Sequence, residues 1–305
     1  MNLTGLKNAA QKVDFKYSLI ILLVLVFWSS SYIGIRYALN RYSPENLGFL
    51  RYLTASVIFF GVALFSKFTV PKLIDLPGLA ALGLFGFTLY NLLLNYGETA
   101  VDAGTSSFII NTVPFFSLLF ALVMKDETAQ KKDWIGMTIA FSGVGFIILS
   151  KNKVHQAFSW HILFILGAAI CQALYFSIQK KYLKKYSPLE LTSYAIWIGT
   201  FLLTLFTKNP FSGIISVPVS YTLTIAYLGI FPGAAAFLLI ALALNKYKLS
   251  NISSYLFLIP FITILIAWAT IGEAISLKSM LGGLFIIGGI LIKNKSFRIT
   301  KSYST

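Results

Sequence analysis

DAGTSSFIINTVPFFSLLFALVMKDE, residues 102–127, is apolar for the length of a membrane span, interrupted near its middle by Pro114 and closed by Glu127. LSNISSYLFLIPFITILIAWATIGE, residues 249–273, repeats the plan. Adding 146 to Pro114 gives Pro260, and the same step takes Ser107 to Ser253, Phe115 to Phe261, Leu119 to Leu265 and Glu127 to Glu273. The register continues downstream, from Gly136 to Gly282 and from Gly143 to Gly289. A repeat of about half the chain predicts two fused halves rather than a solenoid.

The composition names the solvent. Of 305 residues, 57% are hydrophobic and 11% charged, and mean hydropathy is +0.78. A soluble domain carries roughly 25% charged residues, so this chain lacks the polar surface that water requires. The +15 net charge sits in short clusters between apolar runs, and no run presents a basic face, which argues against a nucleic-acid partner. The single Cys171 excludes an intramolecular disulfide.

A spanning helix needs about 20 mostly apolar residues. Ten segments are predicted, at residues 17–39, 46–66, 77–97, 103–124, 133–150, 160–179, 189–207, 218–242, 251–271 and 277–292. Continuous apolarity favours helices over alternating barrel strands. Tyr42-Ser43-Pro44 after the first segment recurs as Tyr186-Ser187-Pro188 after the sixth, a step of 144. The expected organisation is one repeat over residues 1–152 and a second over 153–305. With both termini on one side, that side holds 18 Lys and Arg and the other seven, which puts the termini in the cytoplasm by the positive-inside rule. Five spans per half is an odd number, so the second half enters the membrane inverted, a recurring transporter plan. The fold expected is therefore an all-α integral membrane protein of ten transmembrane helices in two inverted five-helix repeats, with the lipid bilayer as its first partner.

Trp28-Ser29-Ser30-Ser31-Tyr32 with Arg36, Arg51-Tyr52, Thr112-Val113-Pro114, Glu127, Trp134-Ile135-Gly136, Gly143, Ile259-Pro260, Glu273 and Gly282-Gly283 together carry a resemblance. Over essentially the whole chain the sequence resembles the EamA-type family of the drug/metabolite transporter superfamily. No one of these motifs is specific; two copies in register are. The resemblance implies ten helices, two EamA repeats, a central cavity and export or exchange of small metabolites across the cytoplasmic membrane. One departure stands out: a Gly commonly follows the first-span Trp, and here it is Ser29.

Polar side chains inside apolar spans should face protein or a cavity. Trp28 and Ser31 share a helix face, and the 144 step takes them to Gln172 and Tyr175 in the sixth span. Asn91 and Asn95 lie one turn apart in the third span, Ser107 and Asn111 one turn apart in the fourth. With Tyr32 and Ser253 these form the candidate substrate-binding set, a lining of amides, hydroxyls and aromatic rings suited to a small polar or amphiphilic solute. The alternative for each is helix-to-helix hydrogen bonding. Pro114, Pro260 and Pro232, the last between Gly229 and Gly233, each delete a backbone donor and are candidate hinges. Glu127 and Glu273 end matching spans and are candidate gate residues, with simple capping as the alternative. Glu98 and Asp102 read as loop acids, with proton coupling as the alternative, and Arg51 as a residue that snorkels or pairs near the outer start of the second span, with a substrate-carboxylate contact as the alternative. Gly136, Gly143, Gly282 and Gly289 offer small faces for close helix packing, within the bundle or in a homo-oligomer.

Enzyme chemistry finds no foothold. His155 and His161 lie in the linker between the halves, no span holds two Asp, and neither a phosphate-cradling Lys motif nor a metal-ligand cluster occurs. No cofactor or metal is expected. The function expected is secondary transport of small metabolites, amino acids or related compounds, by alternating access. A lipid or lipid-linked-sugar flippase and a non-transporting assembly factor are the alternatives.

Overall fold

A computed structural model describes residues 15–101, 103–149, 160–211, 217–271 and 277–294, and every regular element among them is helical. In the first half α1 (Phe15–Ala38) and α2 (Pro44–Leu64) are unbroken. A 3-10 turn (Leu73–Asp75) leads into α3 (Leu76–Gly83), a π-helical stretch (Leu84–Leu89) and α4 (Tyr90–Glu98). Then come α5 (Ala103–Ile110), α6 (Val113–Val123) and α7 (Lys131–Leu149). The second half runs α8 (Trp160–Tyr182), α9 (Pro188–Thr204), α10 (Val219–Leu228), a π-helical stretch (Gly229–Ala235) and α11 (Ala236–Lys246). It ends with α12 (Leu249–Ser254), a 3-10 turn (Tyr255–Leu258), α13 (Ile259–Ile271) and α14 (Leu277–Asn294).

Seven of these runs are long and apolar enough to cross a membrane: Lys16–Ala38, Pro44–Leu64, Leu73–Glu98, Ser106–Val123, Trp160–Tyr182, Val219–Lys246 and Leu249–Ile266. This is three fewer than the sequence reading expects. α7 opens on three charged residues, α9 has only 17 residues, and the apolar part of α14 is Met280–Lys293. The outside of the bundle is greasy, with Val57, Phe60, Leu64, Phe201, Leu223 and Leu284 all exposed. That surface is stable only where the surrounding medium is hydrocarbon.

Two turns show how local sequence sets the repeat. Ser43 and Ser187 both adopt extended backbone and cap the helices that follow, each with Pro at the first helical position. Ser187 forms a full capping box: its Oγ accepts from Glu190 N (3.3 Å), and Glu190 Oε2 accepts from Ser187 N (2.9 Å). Glu190 then reaches across the halves, where Oε1 accepts from Thr69 N and Thr69 Oγ1, both at 2.7 Å. Beside it Asp75 accepts from Lys185 and from Tyr186 Oη (2.9 Å). The hydrogen bond to that carboxylate holds the Lys185 amine above its usual range. These bonds strap residues 69–75 to residues 185–190 at one end of the bundle.

Packing between the halves comes in matched pairs. α4 packs on α8 as α11 packs on α1; α6 packs on α8 as α13 packs on α1; and each π-helical stretch packs on the unbroken helix of the other half, α9 or α2. Their pairing makes the two halves mutually dependent for burial. α7 and α14 pair with each other: a Cβ on Gly136 would come within 2.6 Å of the Gly289 carbonyl, and one on Gly143 within 2.5 Å of the Gly282 carbonyl. Residue numbers rise along one helix as they fall along the other, so the two cross antiparallel. The glycines are thus used inside the chain.

Candidate functional site

Between the halves lies a cavity whose lining obeys the repeat. Ile110 and Val113 face it from the first half, Leu256 and Ile259 from the second, and each pair differs by 146. Trp28 and Gln172, 144 apart, add a second relation. Ser31, Tyr32, Arg51, Tyr90, Asn111 and Phe237 complete the wall. Its free volume of about 20 Å³ has room for one or two waters, so a metabolite enters only when the helices part.

The helix breaks make this wall. At Asn111–Thr112 the chain leaves α5 and restarts as α6, with Pro114 in its first turn. At the matching place the Tyr255–Leu258 turn precedes α13, which carries Pro260 near its start. The expectation of two bent helices is therefore refined to two broken ones. A proline removes the donor for the carbonyl four residues back; those carbonyls belong to Ile110 and Leu256, both on the cavity wall. Ser29 joins the two halves here: its Oγ donates to the Ile259 carbonyl at 3.1 Å.

Pro232 does the same at a third place, inside the π-helical stretch Gly229–Ala235. The Leu228 carbonyl, at the start of that stretch, accepts from Arg51 Nε at 3.2 Å. Trp28 Nε1 donates to the Pro232 carbonyl at 3.3 Å, which sets the indole against Phe237 and Phe176. The first-half counterpart, Leu84–Leu89, contains no proline; Thr88 Oγ1 donates to the Gly83 and Gly199 carbonyls (3.3 and 3.1 Å) and Gly86 admits the Tyr175 ring.

Of the ten candidate binding residues, Trp28, Ser31, Tyr32, Asn111 and Gln172 come together on this wall. Asn91 lies just behind it, and its Oδ1 accepts from Arg51 Nη1 at 3.4 Å. The other four lie elsewhere. Asn95 Nδ2 donates to the Pro44 carbonyl (2.9 Å) and anchors the start of α2. Tyr175 is fully buried among Phe87, Phe176 and Phe237, and its Oη accepts from Gln179 Nε2 (2.7 Å). The Ser107 carbonyl accepts from Asn111 Nδ2 (2.6 Å), and Ser253 Oγ donates to the Ser250 carbonyl (3.3 Å). Glu127 accepts from Ser250 N (3.4 Å) in the first turn of α12, a favourable place for a carboxylate. Glu273 lies outside the described residues, as does Asp102.

Four side chains sit differently from the sequence reading. Arg51 is buried, 3% exposed, rather than snorkelling to the surface. Glu98 is fully buried at the end of α4, within electrostatic reach of Tyr32 and Tyr90, rather than solvated in a loop. Lys293 and Lys180 reach inward to the turn before and within α12: Lys293 donates to the Ser250 carbonyl and Ser254 Oγ, and Lys180 to the Leu244 and Tyr247 carbonyls. With Glu127 they fix the 244–254 segment from α8, α14 and the loop after α6. A lysine at a span end reads as an interface residue in any sequence; its inward turn depends on the free carbonyls facing it.

Comparison with known proteins decides the class. The EamA-like transporter family matches this chain twice, over residues 15–149 and 159–294. The chain belongs to the EamA-like transporter family. A Bacillus subtilis (strain 168) relative named uncharacterized transporter YdfC is 32% identical over 268 residues, covering 88% of this chain and 87% of its own. A Streptantibioticus cattleyicolor protein named probable terminal-alkyne amino-acid exporter is 30% identical over 275 residues, covering 90% and 92%. A solved crystal structure with 15% identity superposes at a TM-score of 0.73 over 91% of this chain and 96% of that one, and so shares the EamA fold. The protein is accordingly a multi-pass membrane transporter built of two EamA repeats, and not an enzyme.

Proposed function

We propose that this EamA protein is a secondary transporter of small amphiphilic metabolites, with amino acids and related compounds as the leading class. It works by export or exchange across the cytoplasmic membrane, through alternating access of the central cavity. The observation that carries the reading is the cavity itself. It lies between the halves, is lined at repeat-related positions, and is bounded by three proline-associated irregularities that supply flexible points. The amino-acid exporter among the relatives supports the substrate class. Glu127, with Lys180 and Lys293, is then the gate at one end, since releasing the 244–254 segment frees α12 and the wall residues beyond it.

Two tests follow. Purified protein in proteoliposomes should show counterflow of one or more amino-acid-like solutes from a metabolite panel, with and without a pH gradient. Absence of any solute flux would favour the assembly-factor reading, and scrambling of labelled lipid without solute flux would favour the flippase. Second, the antiparallel α7–α14 crossing is consistent with inverted halves, and the Lys and Arg bias puts both termini of the ten-span plan in the cytoplasm. Reporter fusions after residues 42 and 186 should then lie on opposite sides of the membrane; the same side for both would sink the inverted plan.

A further inference from the structure

The cavity wall carries one buried cation and two amide side chains. Arg51 supplies positive charge and donors. Of its five N–H groups, one serves the Leu228 carbonyl and one Asn91 Oδ1. This buried guanidinium opens onto the cavity with donors to spare. Two amides share the wall with it. Asn111 Oδ1 has no hydrogen-bond partner, because its Nδ2 is turned back to the Ser107 carbonyl. Gln172, 4% exposed, has no partner for either Oε1 or Nε2. Buried amide atoms are nearly always paired, so the Asn111 oxygen and the Gln172 amide are groups on the cavity wall that a bound solute can satisfy.

The charged side is not duplicated by the repeat. The 144 step takes Arg51 to Ala195, and the 146 step takes Asn111 to Phe257. Symmetric positions therefore supply shape, and the unsymmetric ones supply polarity. Ile110, Val113, Leu256, Ile259 and Phe237 leave an apolar remainder for a side chain.

We infer that the cavity reads a zwitterion: the cargo's carboxylate docks on the free N–H groups of Arg51, and its ammonium donates to Asn111 Oδ1 and Gln172 Oε1, with an apolar side chain against the aliphatic wall. Arg51 is the specificity-determining residue, and Asn91 positions it. This rests on the transport reading, which it deepens from a broad class to a required pair of charges.

The test is equilibrium binding by calorimetry to the full-length protein in detergent, with two matched sets of probes. One is L-leucine, 4-methylpentanoate and 3-methylbutylamine; the other is L-phenylalanine, 3-phenylpropanoate and 2-phenylethylamine. The amino acid of at least one set should bind, the carboxylate-only analogue more weakly, and the amine about tenfold or more weaker than the amino acid, as loss of a charge-assisted pair implies. Arg51→Gln should bring amino acid and amine to equal affinity. Gln172→Leu breaks no bond in the protein and keeps the test open if the Arg51 variant does not fold; it should bring amino acid and carboxylate-only analogue close to equal affinity. Equal binding of amine and amino acid by the wild type, no binding in either set, or an unchanged preference in the variants would overturn the inference. Carboxylate-selective binding without counterflow would instead overturn transport and leave the site standing. Counterflow indifferent to the carboxylate would do the reverse.

Discussion

Replacing Gln172 by Leu is expected to stabilise the protein while slowing transport. The side chain is 4% exposed, and neither amide atom has a partner. An unsatisfied buried polar group costs about 1–3 kcal/mol, and leucine has a similar volume with nothing to satisfy. The gain should be at least about 1 kcal/mol, read as a rise of roughly 2–4 °C in the midpoint of thermal unfolding in detergent. Counterflow of the preferred solute should fall by about tenfold, the worth of one hydrogen bond to a charged group. A structural role for Gln172 predicts the opposite sign on stability. A fall in the unfolding midpoint together with unchanged flux would remove Gln172 from the site.

Gly289→Ala and Gly288→Ala, one residue apart, are expected to act in opposite directions. A Cβ on Gly289 would stand 2.4 Å from the Gly136 carbonyl and 2.5 Å from Ala140 N. Those are backbone atoms, which cannot rotate aside, so α7 and α14 must separate. Overpacking of this kind costs typically about 1–3 kcal/mol. Gly288 has nothing within 4 Å of its Cβ position, so alanine there should gain about 0.5–1 kcal/mol from its better helix propensity. Monodispersity after heating would compare the pair. Similar behaviour of both variants would show that the α7–α14 contact is not close-packed. The satellite cluster of Leu118, Met137, Val144, Phe257, Ile286 and Ile290 rides on this contact. Gly289→Ala should therefore also loosen the broken segment at Tyr255–Leu258.

Much of the architecture was legible in the chain because its signals are local. Apolar runs mark the membrane, and a proline cannot donate wherever it lies. Pro114 and Pro260, read in register, therefore located both helix breaks before any neighbour was known. The third span's π-helical stretch was not legible. It contains no proline, and its widening arises from Thr88 and Gly86 meeting α9 and Tyr175 of the other half. Arg51 was misjudged for a similar reason. Seven residues into α2 it reads as an interface residue. Only the fold brings the Leu228 carbonyl, at the start of the second-half π-helical stretch, to its Nε. Tyr175 shares a helix face with Gln172, yet Gly86 leaves it a slot in the core while Gln172 faces the cavity.

By itself the sequence determined that this protein lives in a membrane, is built of two related halves, and weakens its helices at the prolines. Hydrophobicity, repetition and a missing N–H are properties of residues where they stand. The tertiary structure alone decided which polar side chains face the cavity and which hold helices together, that the glycines close on each other within one chain, and that a positive charge lies buried beside the break. Those outcomes depend on which helix of the opposite half lies against each face, and that neighbour is set by packing between residues more than a hundred positions apart.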